Sequence, residues 1–341
     1  MRKYGYFLLA LAMQAPVSGQ AQQSLDNNMF NHLDVGLTLG TTGAGFDVAM
    51  PVGDYVRLRT GLSFVPRVEV PMTFGIQVGD DPSKSASKFN RLSGMLESIT
   101  GNPVDDHVDV TGKPRMWSWS FLVDVYPLRN NKHWRVTAGF FLGTPNVAEA
   151  FNKTESMPSL MAVDIYNNLY TKLHGKTKRE LQETQLIDLG EGYDTYRLDP
   201  LIKYMLQDKL DNWGRMGIHL GTYKHDVVDA DGNVIHKQGE SYVMEPDDNS
   251  MVKATMKVNA FKPYIGLGYD GRLSKRTDRL HVSVDAGVMT WGGTPSLITH
   301  DGTDLINDVE GVTGKVGDYV DLMSKFKVFP VASVRFSYTI F

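Results

Sequence analysis

The chain of 341 residues contains no cysteine. Disulfides, thiolate metal centres and lipid attachment at a cysteine of this chain are thereby excluded. Long apolar runs are scarce as well. Beyond the first 21 residues no stretch reaches the roughly 20 apolar residues that a membrane-spanning helix needs, and mean hydropathy is −0.25. A helical membrane protein does not fit that pattern. A membrane barrel does, because lipid-facing and lumen-facing residues alternate along its strands and dilute each other. Basic charge is not in excess either: 35 Lys and Arg stand against 39 Asp and Glu, which gives no electrostatic footprint for nucleic acid.

What is present begins with a secretory signal. Arg2 and Lys3 precede an apolar stretch over residues 6–17, and Ser18-Gly19-Gln20-Ala21 forms a small-residue cleavage site. Cleavage after Ala21 is expected, leaving residues 22–341 as one barrel domain. At the other end, residues 334–341 alternate and close on the aromatic Phe341. A strand in that position must be paired on both sides or leave an exposed edge, and barrel closure solves this.

Strict apolar and polar alternation recurs over residues 32–41, 44–50, 55–65, 117–126, 133–142, 258–270, 280–290 and 327–341. Connections between these segments alternate in length. Residues 51–54, 127–132 and 271–278 are short turns, whereas 66–116, 144–257 and 292–326 are long insertions; the one short link on the long side is Thr41-Thr42-Gly43. Short turns on one side and long loops on the other is the asymmetry of membrane barrels, with the turns periplasmic and the loops extracellular. The fold class read from this is all-β, a transmembrane antiparallel β-barrel of about eight strands with long extracellular loops. Apolar residues at three- and four-residue spacing predict short helices in those loops, over 87–99, 160–173, 178–189, 201–213 and 318–326. Their apolar stripes are expected to bury against the barrel mouth or each other. A hairpin is also expected where 217–226 and 234–244 flank the turn-rich residues 229–233.

Strand parity assigns side chains to the two sides of the wall. The lumen receives a charge network of Asp34, Asp47, Arg57, Arg59, Asp124, Arg135, Lys262, Asp285 and Arg335, joined by Asp270 and, near one end, His281. An eight-stranded barrel is just wide enough for side chains to fill, so these groups read first as a salt-bridged polar core and second as a narrow charged conduit. Near the strand ends lie Trp117, Trp119, Trp134 and Tyr338, with Tyr55, Tyr126 and Trp291, where an aromatic belt would meet the membrane interface.

Catalytic and metal chemistry find little footing. His219, His225, His236 and His300 lie in the outer loops near Asp226, Ser241 and Asp301, without nucleophile-elbow spacing or a triad signature. Asp229, Asp231 and Asn233 resemble the start of a calcium loop, but Val234 occupies the sixth position, where the sharp turn needs glycine. No enzyme activity, metal or cofactor is expected.

The strand-proline-turn units around Pro51 and Pro127, the stretch 261–269 and the terminal Phe341 resemble the outer-membrane β-barrel proteins of Bacteroides-type bacteria, porin-like proteins with an outer membrane protein beta-barrel domain. The resemblance covers the strands and hardly the loops. One departure is that Phe341 shares its face with Thr339, Ser337 and Arg335, while Ile340, Tyr338, Phe336 and Val334 carry the lipid-facing parity. The resemblance implies an integral protein of the bacterial outer membrane, with outer-membrane lipid and the barrel assembly machinery as partners. The expected role is a scaffold for extracellular loops, in surface binding of an unidentified ligand or in envelope integrity. The alternatives are a porin-like channel for small solutes and, more distantly, an outer-leaflet hydrolase or transferase.

Overall fold

In the computed structural model, residues 32–128, 131–184, 200–273, 279–312, 314–325 and 327–340 are described. The signal segment, turn residues 274–278, the far end of the helix expected over 178–189 and the terminal Phe341 lie outside them.

Eight strands close into an antiparallel barrel. They are β1 (Asp34–Gly40), β2 (Gly43–Pro51), β3 (Val56–Phe64), β7 (Trp117–Val125), β8 (Trp134–Gly143), β15 (Phe261–Arg272), β16 (Leu280–Thr290) and β19 (Val328–Thr339). Each pairs with its neighbours along the chain, and β1 closes on β19 in the register Val35↔Tyr338 and Leu39↔Val334. The alternation explains these strands directly: Leu37, Val48, Leu58, Leu267 and Val284 stand exposed outside, while Asp47, Asp124, Asp285 and Arg335 are buried inside. With every ladder paired, no barrel edge is left open.

The long insertions fold together into a head. Its strands are β4 (Val70–Gly75), β5 (Gln77–Val78), β6 (His107–Pro114), β9 (Asn146–Asn152), β10 (Met216–Tyr223), β11 (Val227–Val228), β12 (Val234–His236), β13 (Ser241–Met244), β14 (Lys253–Lys257), β17 (Ser296–Thr299) and β18 (Val309–Glu310). Its helices are α1 (Pro82–Thr100), α2 (Met157–Leu173), α3 (Lys178–Glu183), α4 (Pro200–Trp213) and α5 (Gly314–Lys325). One sheet of five strands runs β17-β14-β9-β6-β4, and a second carries β13-β10-β18 with β5 paired on β10. The expected hairpin is the β10 and β13 pair, with β11 and β12 as a ribbon at its tip.

Helix boundaries follow ordinary capping. Asp81 accepts a hydrogen bond from the Ser83 amide at 3.0 Å, Pro82 opens α1 and Gly101, at φ 71°, ends it. The Ser83 hydrogen bonds and the Lys84 ion pair hold the Asp81 carboxyl down at about 2. Thr177 and Glu180 form a capping box at α3.

The apolar stripes of these helices do not settle on the barrel mouth. Phe89, Leu92 and Leu96 of α1 and Leu160, Val163 and Tyr166 of α2 join Val108, Ile218 and Leu220 of the head sheets in one buried core. The insertions thus supply their own sheets as the surface their helices need.

Candidate functional site: the barrel lumen, its two mouths and its outer wall

Inside the barrel the charged side chains form one connected cluster. Asp124 lies at its centre, with Arg57 Nη2 at 3.0 Å, Arg59 Nη2 at 3.2 Å, Arg135 Nε at 3.4 Å and the Thr137 hydroxyl donating at 2.7 Å. Arg59 forks onto both oxygens of Asp285, at 3.1 and 3.2 Å. Arg135 reaches Asp285 at 2.7 Å and also pairs with Asp270. Bidentate and shared pairs of this kind are the stronger class of ionic hydrogen bond.

The remaining lumen residues sit around that cluster. Arg335 Nε donates to Asp47 at 2.6 Å, and Asp47 also accepts from Thr38 at 2.8 Å. Asp34 takes the Thr339 hydroxyl at 2.6 Å and lies 3.9 Å from Arg57. Lys262 is the exception to the expected network: it is buried inside the wall, yet its Nζ has no hydrogen-bond partner among the described residues. Its place on β15 opposite Phe141 puts it toward the apolar mouth, away from the carboxylates.

Two glycines make room for the guanidinium groups. A Cβ on Gly36 would stand 2.6 Å from Arg335 Nε, and one on Gly268 would stand 2.6 Å from Arg135 Cζ. Both arginines therefore lie flat over the adjacent strand, Arg335 over β1 and Arg135 over β15. Such pairing of a long side chain with a vacant facing position is visible in the sequence only as glycine on the lumen parity.

The cluster divides the free space of the lumen. Below it, toward the short turns, a vestibule of about 540 Å3 is lined by Asp34, Arg57, Tyr126, Asp270 and His281. Above it a smaller pocket of about 50 Å3 lies between Asp47, Arg59, Asp285, Phe141 and Tyr264. The head-side mouth is then closed by Leu122, Phe141, Tyr264, Met289, Trp291 and Val331 packed together.

The outer wall carries two aromatic rings. Trp117 and Trp119, with Phe64 and Phe261, are exposed at the head side. Trp134 and Tyr338, with Tyr55 and Tyr269, are exposed at the turn side, and Trp134 meets Tyr269 edge to face at 5.2 Å. Between them the wall shows Leu37, Val48, Leu58 and Val284, the apolar band flanked by girdles that a bilayer covers. Two residues expected in the belt are not part of it. Tyr126 turns inward and donates to Asp270 at 2.6 Å, and Trp291 is buried at the mouth against Phe329. Both lie just past a strand end, where parity no longer dictates the face.

Other expected features are placed as follows. Asp229 folds the hairpin tip by accepting from the Asp231 and Asn233 amides at 2.9 and 2.8 Å, which occupies it as a turn residue. Lys203, expected in an outer loop, is buried and donates to the Leu181 and Thr184 carbonyls at 3.0 and 2.6 Å, at the end of α3. Asp270 and Tyr126 are the members of the lumen set whose importance sequence parity understated.

No protein-family model matches the chain, and no curated protein does. Among solved structures it is similar to CarO2 of Acinetobacter baumannii, with 14% identity over 90% of this chain and 98% of that one, at a TM-score of 0.34. CarO of the same organism gives 13% identity over 91% and 99%, at 0.34. A major outer membrane protein of Thermus thermophilus gives 10% identity over 90% and 98%, at 0.27. These similarities are weak, and the closed barrel stands on its own strand register.

Proposed function

We propose that this chain is an integral outer-membrane β-barrel protein in which the barrel serves as an anchor and the head presents a binding surface outside the cell. The observation that carries this reading is the lumen. Arginine and aspartate fill it at mid-height, and apolar side chains close it at the head. Ion pairs buried this way hold their geometry because loosening one leaves a charge uncompensated. The apolar wall between aromatic rings supports the membrane placement, with lipid as the first partner and the barrel assembly machinery as the route of insertion. The Bacteroides-type affiliation rests on the stretches around Pro51 and Pro127 and on 261–269. No catalytic step is part of this proposal.

A porin-like channel is the second reading, and the 540 Å3 vestibule is what favours it. Planar-bilayer recording separates the two. An anchor should give no resolved single-channel openings at either polarity. Stable stepwise openings, enlarged when Arg135 is shortened to Ala, would move the function to solute passage.

A further inference from the structure

The five-stranded sheet of the head has one face that its own core does not fill. Gly112, Ala150 and Ala254 lie side by side across β6, β9 and β14, and one row nearer the barrel stand Pro114, Ala148 and Met256. The side chains at the centre of this face are too short to reach the facing wall of Leu220, Met244, Ile306, Val316 and Val320. The gap is a cleft of about 340 Å3, at the lower end of the roughly 300–1,000 Å3 typical of small-molecule sites.

Its chemistry is narrow. The charged groups at its edge are each already paired: Lys113 with Glu69 at 2.8 Å, Glu149 with Arg115 at 3.0 Å, and Lys253 with Asp247 at 3.2 Å. Thr299, the hydroxyl at one end, donates to Asp301 at 2.6 Å and accepts from Tyr242 at 2.9 Å. An entering molecule is thus met almost wholly by hydrocarbon. A cleft lined this way favours an apolar guest over a polar one.

Position selects which guest. Pro114 is three residues from Trp117 of the upper aromatic ring, about 10 Å of strand at roughly 3.3 Å per residue. Met256 lines the cleft and also packs on the barrel-mouth cluster. From the exposed Phe64 at the end of β3, the chain climbs through the exposed Val68 to Val70, which is both exposed and part of the cleft on the edge strand β4. Exposed apolar side chains at Phe64, Val68 and Val70, alternating with the exposed Arg67 and Glu69, therefore mark a path from the upper aromatic ring to the cleft. We propose that the cleft receives the alkyl chain of a single-chain lipid or fatty acid drawn from the outer membrane surface. This deepens the anchor-and-head reading above and rests on it.

The test uses the full chain reconstituted in lipid nanodiscs preloaded with a diazirine-bearing palmitate, irradiated and mapped by peptide mass spectrometry. Label is expected on two sets of peptides: the outer barrel wall, and β4, β6, β9 and β14 of the head. The variant Ala150→Leu/Ala254→Leu, which fills the centre of the cleft, should lose the head label and keep the wall label. Should that variant fail to fold, Ala148→Ile alone and competition by unlabelled palmitate make the same comparison. Delivery of the probe from the aqueous side should label the head more slowly than preloading. Label on the wall but never on the head, or head label unchanged in the filled variants, overturns the alkyl site and leaves the membrane anchor standing. Absence of label from the wall itself overturns the anchor reading, a different outcome from failure of the cleft.

Discussion

Asp124 is touched by three guanidinium groups and one hydroxyl while fully withdrawn from solvent, so the lumen depends on charges that neutralise one another in place. Shortening Arg135 to Ala should lower barrel stability by about 3–5 kcal/mol, the usual consequence of removing one member of a buried pair. Lys237→Ala, exposed between β12 and β13, should stay within about 0.5 kcal/mol. Urea unfolding in vesicles compares the two, and equal midpoints would mean that Arg135 does not sit among carboxylates. Gly268→Val should weaken the barrel as well, since its side chain would occupy the space of the Arg135 guanidinium. In the head, His219 is a different case: the residue is half-buried, its buried Nε2 has no hydrogen-bond partner among the described residues, and burial holds its pKa below the ordinary imidazole value against a weaker opposing effect of Asp80. With the folded value depressed, the unfolded chain binds the proton more readily. Head stability from this residue is therefore complete above the unfolded value near 6.5 and is lost as pH falls from there through the folded value. Limited proteolysis at pH 7.5 and pH 5 should show the head more readily cut at the lower pH, and His219→Gln should flatten the difference.

At the scale of elements, the head is stitched together by side chains standing in for backbone. Asn167 of α2 donates to the Met216 carbonyl at 2.6 Å and accepts from the Met216 amide at 2.9 Å, so one buried amide completes both hydrogen bonds of the first residue of β10. Asn167→Leu would leave both groups unsatisfied in the core, at about 1–3 kcal/mol each. Thermal unfolding of the head should show that loss, while an exposed neighbour such as Asn168→Ala should change little; equal effects would argue that the Met216 bonds are met elsewhere. The same elements show why the barrel, the β10 and β13 hairpin and the helices were legible in sequence and the five-stranded sheet of the head was not. On β1, β7 and β19 one face meets an apolar surround and the other a polar lumen, so alternation is enforced at nearly every position. Strand β9 has Val147 packed on the barrel-mouth cluster and Ala148 and Ala150 facing the cleft, so both faces are partly apolar and the period of two fades. Strand β6 likewise buries the adjacent Val110 and Thr111. Helices α1, α2 and α4 kept their three-and-four spacing because each has one wet side, but the five-stranded sheet of the head left no comparable mark.

For the whole molecule, topology decides whether the head is a surface device at all. All long insertions leave the same end of the barrel and merge into one head, while Lys132 sits in a short turn at the opposite end, its ammonium 5.2 Å from the ring centre of Tyr55. Short-turn ends of outer-membrane barrels face the periplasm and long-loop ends face outward, so the two ends should differ in access from outside the cell. The absence of native cysteine makes the difference directly measurable. Lys237→Cys, exposed between β12 and β13 of the head, should react with a membrane-impermeant maleimide on intact cells. Lys132→Cys should react only after the outer membrane is permeabilised. Protease added to intact cells should likewise cut at the exposed Arg179 and Lys209 before the buried Lys203, whose ammonium is fastened to the end of α3. Reaction of Lys132→Cys on sealed cells, with Lys237→Cys protected, would place the head in the periplasm and turn its apolar cleft toward the inner leaflet. A lipid-binding role outside the cell would then be untenable.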